Sequence, residues 1–342
     1  GGYMIETFLA TLNPMLMLFL CMVLGLVLCK TKILPDNAGK VMAKLETWVF
    51  CPALSFYTMA RYCTIQNIGT HATNMVISAF GVAIALAIAL PLSTLLVKDK
   101  VYERKVYQYA LTFANSGYVG DPVVQALLGD IALSYYKLYA LPISLLIYTW
   151  GINALVPKEE RKSGNPLKNL INAPMVAMLL GVIIGLCGEG EFLLGAEGSL
   201  TFFGSTLNGL KACMGPVAML LAGFTVARYD IGKMLKNKKV YIATVLRLIV
   251  IPAVIVAGTL GVKELIALIL GVEINHFVLF LVFFSVGTPL GLNTVVFPEA
   301  FDGDPSTGAS MAMISHTLCV ISIPLMYALM CVVFGQPIIP IA

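Results

Sequence analysis

Apolar stretches of about twenty residues recur along this chain, separated by short connections that hold most of its lysines and arginines. A helix rises about 1.5 Å per residue, so one such stretch crosses a hydrocarbon core about 30 Å thick. Hydropathy and Pro/Gly punctuation predict ten spans: 8–29, 38–60, 72–97, 104–129, 131–156, 170–188, 200–227, 239–262, 274–300 and 306–335. These fill nearly all of the 342 residues, so no separate soluble domain is expected. Composition agrees, with 12% charged and 59% apolar residues, whereas about a quarter of a soluble globule is charged. That composition disfavours a soluble enzyme, a nucleic-acid binder and a disordered scaffold. The first span is expected to be retained rather than cleaved as a leader, because no basic head precedes its long apolar part.

Basic residues stay on the cytoplasmic side of a membrane and so orient the spans. The odd-numbered connections hold Lys30, Lys32 and Lys40; Lys98, Lys100, Arg104 and Lys105; Lys158, Arg161, Lys162 and Lys168; and Arg228, Lys233, Lys236, Lys238 and Lys239. Together these are sixteen of the 22 basic residues, and the even-numbered connections and their margins add little beyond Arg61, Lys137 and Lys263. Both termini are therefore expected outside the cytoplasm. The alternation also argues for ten spans, since a missed helix would scramble it.

The two halves resemble each other in order. Asn13-Pro14-Met15 with Gly25 in span 1 answers Asn172-Ala173-Pro174-Met175 with Gly181 and Gly185 in span 6. Cys51-Pro52 and Thr58-Met59-Ala60-Arg61-Tyr62 in span 2 answer Gly215-Pro216 and Thr225-Val226-Ala227-Arg228-Tyr229 in span 7. Pro91 in span 3 answers Pro252 in span 8, and Val123-Val124 answers Val295-Val296. Five spans per half is an odd number, so the second half is inverted relative to the first. Inverted repeats build many secondary transporters, with the substrate near the midplane where the halves meet. The predicted architecture is an all-α polytopic membrane protein of two inverted five-helix repeats, 1–156 and 170–342, joined by a cytoplasmic linker at 157–169.

Spans 4 and 9 are the repeat-related pair most heavily interrupted. One reads Phe113-Ala114-Asn115-Ser116-Gly117-Tyr118-Val119-Gly120-Asp121-Pro122 and the other Ser285-Val286-Gly287-Thr288-Pro289-Leu290-Gly291-Leu292-Asn293-Thr294. Glycine costs about 1 kcal/mol in a helix and proline about 3, so Gly117, Gly120, Pro122, Gly287, Pro289 and Gly291 are read as helix breaks. Unwound backbone survives at membrane depth only where it lines a cavity or is buried in protein. Two half-helix N-termini meeting there, each with about half a positive charge, suit an anion.

At these residues the sequence resembles the auxin efflux carrier family, which includes bacterial organic-acid permeases and plant PIN-type carriers. Asn115, Ser116, Gly120 and Pro122 fall at the family's crossing, Pro52-Ala53-Leu54-Ser55-Phe56 is similar to its Pro-Leu-Leu-Ser-Phe, and Arg247-Leu248 with Pro252 and Ser306-Thr307-Gly308 extend the likeness along the chain. The resemblance implies a fold like that of sodium/proton antiporters and bile-acid symporters, with broken helices 4 and 9 crossing. Spans 1, 2, 6 and 7 would form a scaffold, and spans 3–5 and 8–10 a domain that moves like an elevator. It further implies a homodimer, and a substrate carboxylate contacted by Asn115 and Ser55. Span 3 has no charged residue where the plant carriers have an Asp and a Lys, and Asp121 stands where they are apolar.

Ionisable groups at membrane depth are expensive, so each is a functional candidate. Asp121 either binds a proton or sodium as coupling ion or caps the half-helix that follows. Arg247 either compensates charge near the site or tethers backbone. Glu46 and Lys211 precede Pro52 and Pro216 in repeat-related spans, which predicts a salt bridge between them. His316 is either a proton relay or a hydrogen-bonded helix contact. The eight cysteines have no metal-type spacing and read as small buried hydrophobes. No metal, nucleotide or other cofactor is expected, and no nucleophile or phosphate-loop motif supports enzymatic activity. The expected function is transport of a small organic anion across the plasma membrane, with Asn115, Ser116, Ser55, Thr288, Asn293 and Thr294 as substrate ligands. A cation/proton antiporter using Asp121 and a non-transporting sensor are the alternatives.

Overall fold

The computed structural model describes residues 2–156, 168, 170–195, 200–271, 273–300 and 304–340. Apart from Lys168, the predicted linker at 157–169, with Lys158, Arg161 and Lys162, lies outside the described residues. The described chain is helical, and its single isolated β-bridge is a feature of the site below.

In chain order, α1 is Gly2–Lys30, α2 runs 38–62, α3 is Ile68–Leu96, α4 is Val101–Thr112, α5 is Ser116–Tyr139 and α6 is Leu141–Leu155. Then come α7 (Ala173–Leu186), short α8 (Gly190–Leu194), α9 (Thr201–Ala227), short α10 (Ile231–Leu235), α11 (238–270), α12 (Phe277–Val286), α13 (Asn293–Ala300) and α14 (Ser306–Phe334). Five of these, α1, α3, α9, α11 and α14, are individually long and apolar enough to cross a bilayer, and α5 and α6 meet at a bend of 43° as an apolar broken pair. This is a polytopic membrane protein. Large apolar side chains point outward along these helices, among them Leu20 and Leu24, Leu179 and Ile183, Leu268 and Ile269, and Ile321 and Val332. Glu46, Asp121, Lys211, Arg247 and His316 are all buried. That distribution suits lipid as solvent, because an apolar surface this extensive is not stable in water.

Prolines shape several of the helices. A proline ring clashes with the carbonyl four residues back and offers no N–H. Ahead of Pro52, Pro122 and Pro252 the turn widens to π geometry, at Glu46–Phe50, Ser116–Gly120 and Leu246–Val250. An added residue in the turn relieves the clash without ending the helix.

Glycines set the closest helix contacts. A Cβ at Gly25 of α1 would collide with the Leu220 carbonyl of α9, and one at Gly223 of α9 with the Met22 carbonyl of α1. The same holds where α7 meets α2, since Gly181 faces the Phe56 carbonyl and Gly185 the Cys63 carbonyl. The small-residue motif 181–185 thus seats α7 on α2. α2 also packs on α9, while α3 packs on α4 and α11 on α12.

The chain reverses inside α5. Gly129 has φ +81° and ψ 179°, outside the helical region and strained for any residue with a Cβ. This turn falls where spans 4 and 5 are divided in the sequence.

Candidate functional site

The chain is interrupted twice at depth, and the two interruptions touch. α4 ends at Thr112 and α5 begins at Ser116; α12 ends at Val286 and α13 begins at Asn293. Between them, Ala114 and Leu290 form an antiparallel β-bridge, and the Asn115 N–H donates to the Pro289 carbonyl at 2.8 Å. Backbone groups freed from one helix are therefore satisfied by the other, as burial away from water requires. The first break lies at the start of the interrupted run, ahead of the glycines and proline read as its breakers. Phe113 to Asn115 leave the helix, whereas Gly117 and Gly120 sit in the π turn and Pro122 in the first α turn that follows. A proline is tolerated there because the first N–H groups of a helix have no intrahelical partner. Gly120 instead gives room to Tyr136, whose hydroxyl stands 3.1 Å from both the Ser116 and Phe284 carbonyl oxygens. The second break contains Gly287, Pro289 and Gly291, as the sequence indicates.

Beside the crossing lies a cavity of about 120 Å³, reached by Ser55, Asn115, Ser116, Asp121, Lys137 and Asn293. Gly117 and Gly291 also line it, and Met175 and Met178 contribute an apolar wall. A larger opening of about 440 Å³, around Gln66, Thr73, Glu273 and Asn275, shares no lining residue with it. The smaller cavity is the better candidate, because polar groups converge on it beside the broken backbone. Ser116, Gly117 and Tyr118 open α5, and helix-opening N–H groups carry a partial positive charge without an internal acceptor.

Asp121 and Lys137 form an ion pair of 2.7 Å. On a straight helix sixteen residues would separate them by about 24 Å, so the turn at Gly129 is what brings them together. Lys137 is the cavity residue that sequence reasoning missed, counted only as a marginal basic residue. A usable signal was present: Asp121 and Lys137 are equidistant from Gly129 along the chain.

Asn115 Nδ2 is 2.9 Å from His316 Nε2, and His316 Nδ1 is 2.7 Å from the Ala312 carbonyl. Asn293 Nδ2 donates to the Tyr109 hydroxyl at 3.0 Å. Thr294 turns its hydroxyl back to the Gly291 carbonyl at 2.8 Å, and Thr288 is buried with its hydroxyl unpartnered; neither reaches the cavity. Arg247, held in the π turn of α11, donates from Nη1 to the Leu111 and Thr112 carbonyls at 2.8 and 3.2 Å. It thereby caps the C-terminal end of α4, a tether that offsets the negative pole of a helix ended inside the protein.

The expected Glu46–Lys211 salt bridge does not form. Lys211 pairs with Asp130 at 2.9 Å and its ammonium stands 4.1 Å above the Tyr57 ring. Tyr57 is eleven residues along α2 from Glu46, about 16 Å at the helical rise, so the two charges lie at different levels along α2. Glu46 is fully buried and neither of its carboxyl oxygens has a hydrogen-bond partner. Among the cysteines, Cys63, Cys319 and Cys331 are buried as expected, but Cys187 is exposed.

Comparison with curated proteins gave no match. The family described as membrane transport protein matches residues 10–327, nearly the whole chain and both interruptions. The touching breaks, the buried polar residues around them and this match give one assignment: the chain belongs to the auxin efflux carrier family of membrane transport proteins.

Proposed function

We propose that this transporter carries small organic anions, with the carboxylate bound at the crossing of the two interrupted helices. The observation that carries the reading is the cavity beside the β-bridge, where the opening turn of α5, Asn115 and Lys137 converge. Its contents can suit a carboxylate: N–H dipoles of the opening turn of α5, an amide at Asn115 whose NH₂ can turn to the guest, the Asn293 amide and the Ser55 hydroxyl, with the Lys137 ammonium balanced by Asp121. Its volume of about 120 Å³ is well below the roughly 300–1,000 Å³ of sites for drug-sized ligands, which favours small acids. Asp121 is neutralised by Lys137 at 2.7 Å, which favours an anion over a metal cation as guest and weighs against the antiporter alternative.

In this reading ten spans form two inverted five-helix repeats, with both termini outside the cytoplasm of a plasma-membrane protein. The paired packing of α1 on α9 and α7 on α2, each sealed by glycine, supports the repeat, since spans 1 and 6 exchange roles with spans 2 and 7. These four helices would be the scaffold, and the crossing with its flanking helices would be the domain that moves. Ser55 belongs to the scaffold, so it would contact substrate in only part of the cycle.

The test is counterflow of labelled acetate, lactate and succinate into proteoliposomes. Uptake by the wild type and its loss in Asn115→Ala, with an unchanged elution profile, is the expected result. Uptake that survives Asn115→Ala removes the site. Proton or sodium flux in vesicles free of organic anion would favour the antiporter.

A further inference from the structure

We propose that His316 is the proton-binding site of this carrier and that it acts through Asn115, so that a carboxylate and a proton are bound together. This rests on the carboxylate reading above and adds to it the co-transported ion and the residue that holds it.

The geometry fixes the state of the ring. A carbonyl can only accept, so the 2.7 Å contact with Ala312 places a hydrogen on His316 Nδ1. In a neutral ring Nε2 is then a bare acceptor, and its 2.9 Å partner on Asn115 must be the amide nitrogen. That choice sets the other edge of the amide. Asn115 lines the cavity, and its Oδ1 meets no protein donor and is not sealed from open space. The edge offered to a guest is thus a carbonyl oxygen, which repels a carboxylate, with at most one N–H beside it.

Protonation reverses this. A proton from the bulk adds to the Nε2 lone pair while the Nδ1–H bond to Ala312 stays. Nε2 then donates, Asn115 must rotate its amide to present Oδ1 to the ring, and the NH₂ group turns to the cavity. The guest gains donors and a nearby positive charge, and a buried anion gains the pairing it needs.

No other charge takes that part. Of the buried charged groups on the helices packed against α14, Lys211 is bound to Asp130, Arg247 to the Leu111 and Thr112 carbonyls, and Lys263 to Glu264. Across the cavity Asp121 and Lys137 neutralise each other. Among the described residues no charged side chain bonds to His316, whose polar contacts are Asn115, the Ala312 carbonyl and the Cys319 thiol on its own carbonyl. His316 acts as a positioning residue, since it reaches the substrate only through Asn115.

The experiment is calorimetric titration of the purified carrier with acetate, lactate and succinate in two buffers of different ionisation heat, which counts protons taken up per anion bound. About one proton is expected for the wild type, with affinity rising about tenfold per unit fall in pH where the free ring is neutral and the bound one charged. His316→Gln offers an amide that can donate or accept, so binding should persist with proton uptake lost and the pH dependence flattened. Nitrogen NMR of wild-type protein labelled at its three histidines needs no variant, and should show one ring passing from neutral to doubly protonated when anion is added. Binding without proton uptake, uptake that survives His316→Gln, or rings that stay neutral with anion bound would each overturn the proposal. If none of the three acids binds, the carboxylate reading itself falls and this inference falls with it.

Discussion

Two buried charges separated by one turn of chain set the electrical character of the cavity. Asp121 is almost wholly enclosed and Lys137 nearly so. Removing one partner strands the other in a medium that solvates it poorly, which costs about 3–5 kcal/mol, whereas removing both often costs little. Lys137→Met is therefore expected to lower thermal stability in detergent sharply, and the double variant Asp121→Asn, Lys137→Met to recover most of the loss. Equal damage from the single and double variants would show that the pair contributes nothing beyond its packing. Arg247 follows the same logic with backbone as partner. Arg247→Met leaves the Leu111 and Thr112 carbonyls without that donor, and a loss of about 1–3 kcal/mol is expected from the same unfolding measurement. At this scale the sequence was legible for Asn115, Ser116, Asp121 and Asn293, because polar residues inside glycine- and proline-rich apolar runs have few other reasons to be there. His316 as the partner of Asn115 was not, since the two are 201 residues apart and only tertiary structure joins them. The Glu46–Lys211 pairing failed because Lys211 stands over Tyr57, eleven residues along α2 from Glu46, and is taken by Asp130.

Among the helices, glycine decides which pairs approach, and three of the π turns stand just ahead of a proline. Gly223→Ala pushes a methyl into the Met22 carbonyl of α1, a backbone atom that cannot rotate aside. Overpacking costs typically about 1–3 kcal/mol, so a clear fall in the unfolding midpoint is expected. Gly209→Ala on the same helix meets nothing within 4 Å and should be neutral or stabilising by up to about 1 kcal/mol. Matching losses at both sites would mean that close approach of α1 and α9 is not what Gly223 provides. The five long apolar helices α1, α3, α9, α11 and α14 were readable from hydropathy, and the turn at residue 129 falls on a glycine between two apolar runs. The π turns were not readable: Pro52, Pro122 and Pro252 have them, whereas Pro14, Pro91, Pro216 and Pro324 sit in helices without one. The first helix break was legible as a run but not to the residue, for a related reason. Its glycines and proline fall after the interruption, and the freed backbone at 114–115 is taken up by Pro289 and Leu290, which the composition of residues 113–115 does not announce.

For the molecule as a whole, the proposed orientation makes a prediction that can be checked in intact vesicles. In a background without native cysteines, Lys98→Cys and Lys236→Cys should react with an impermeant maleimide only from the cytoplasmic face, and Gln66→Cys only from the other. Labelling of all three from one side would end the inverted arrangement of two five-helix halves. The β-bridge at the crossing has a consequence for how such a carrier diversifies. Its clasp is amide to carbonyl, chemistry that nearly every residue supplies, so no particular side chain is needed to keep the severed helices joined. Residues around the void are then at liberty to be exchanged. One frame can be refitted for guests of different size and charge while its central knot stays tied.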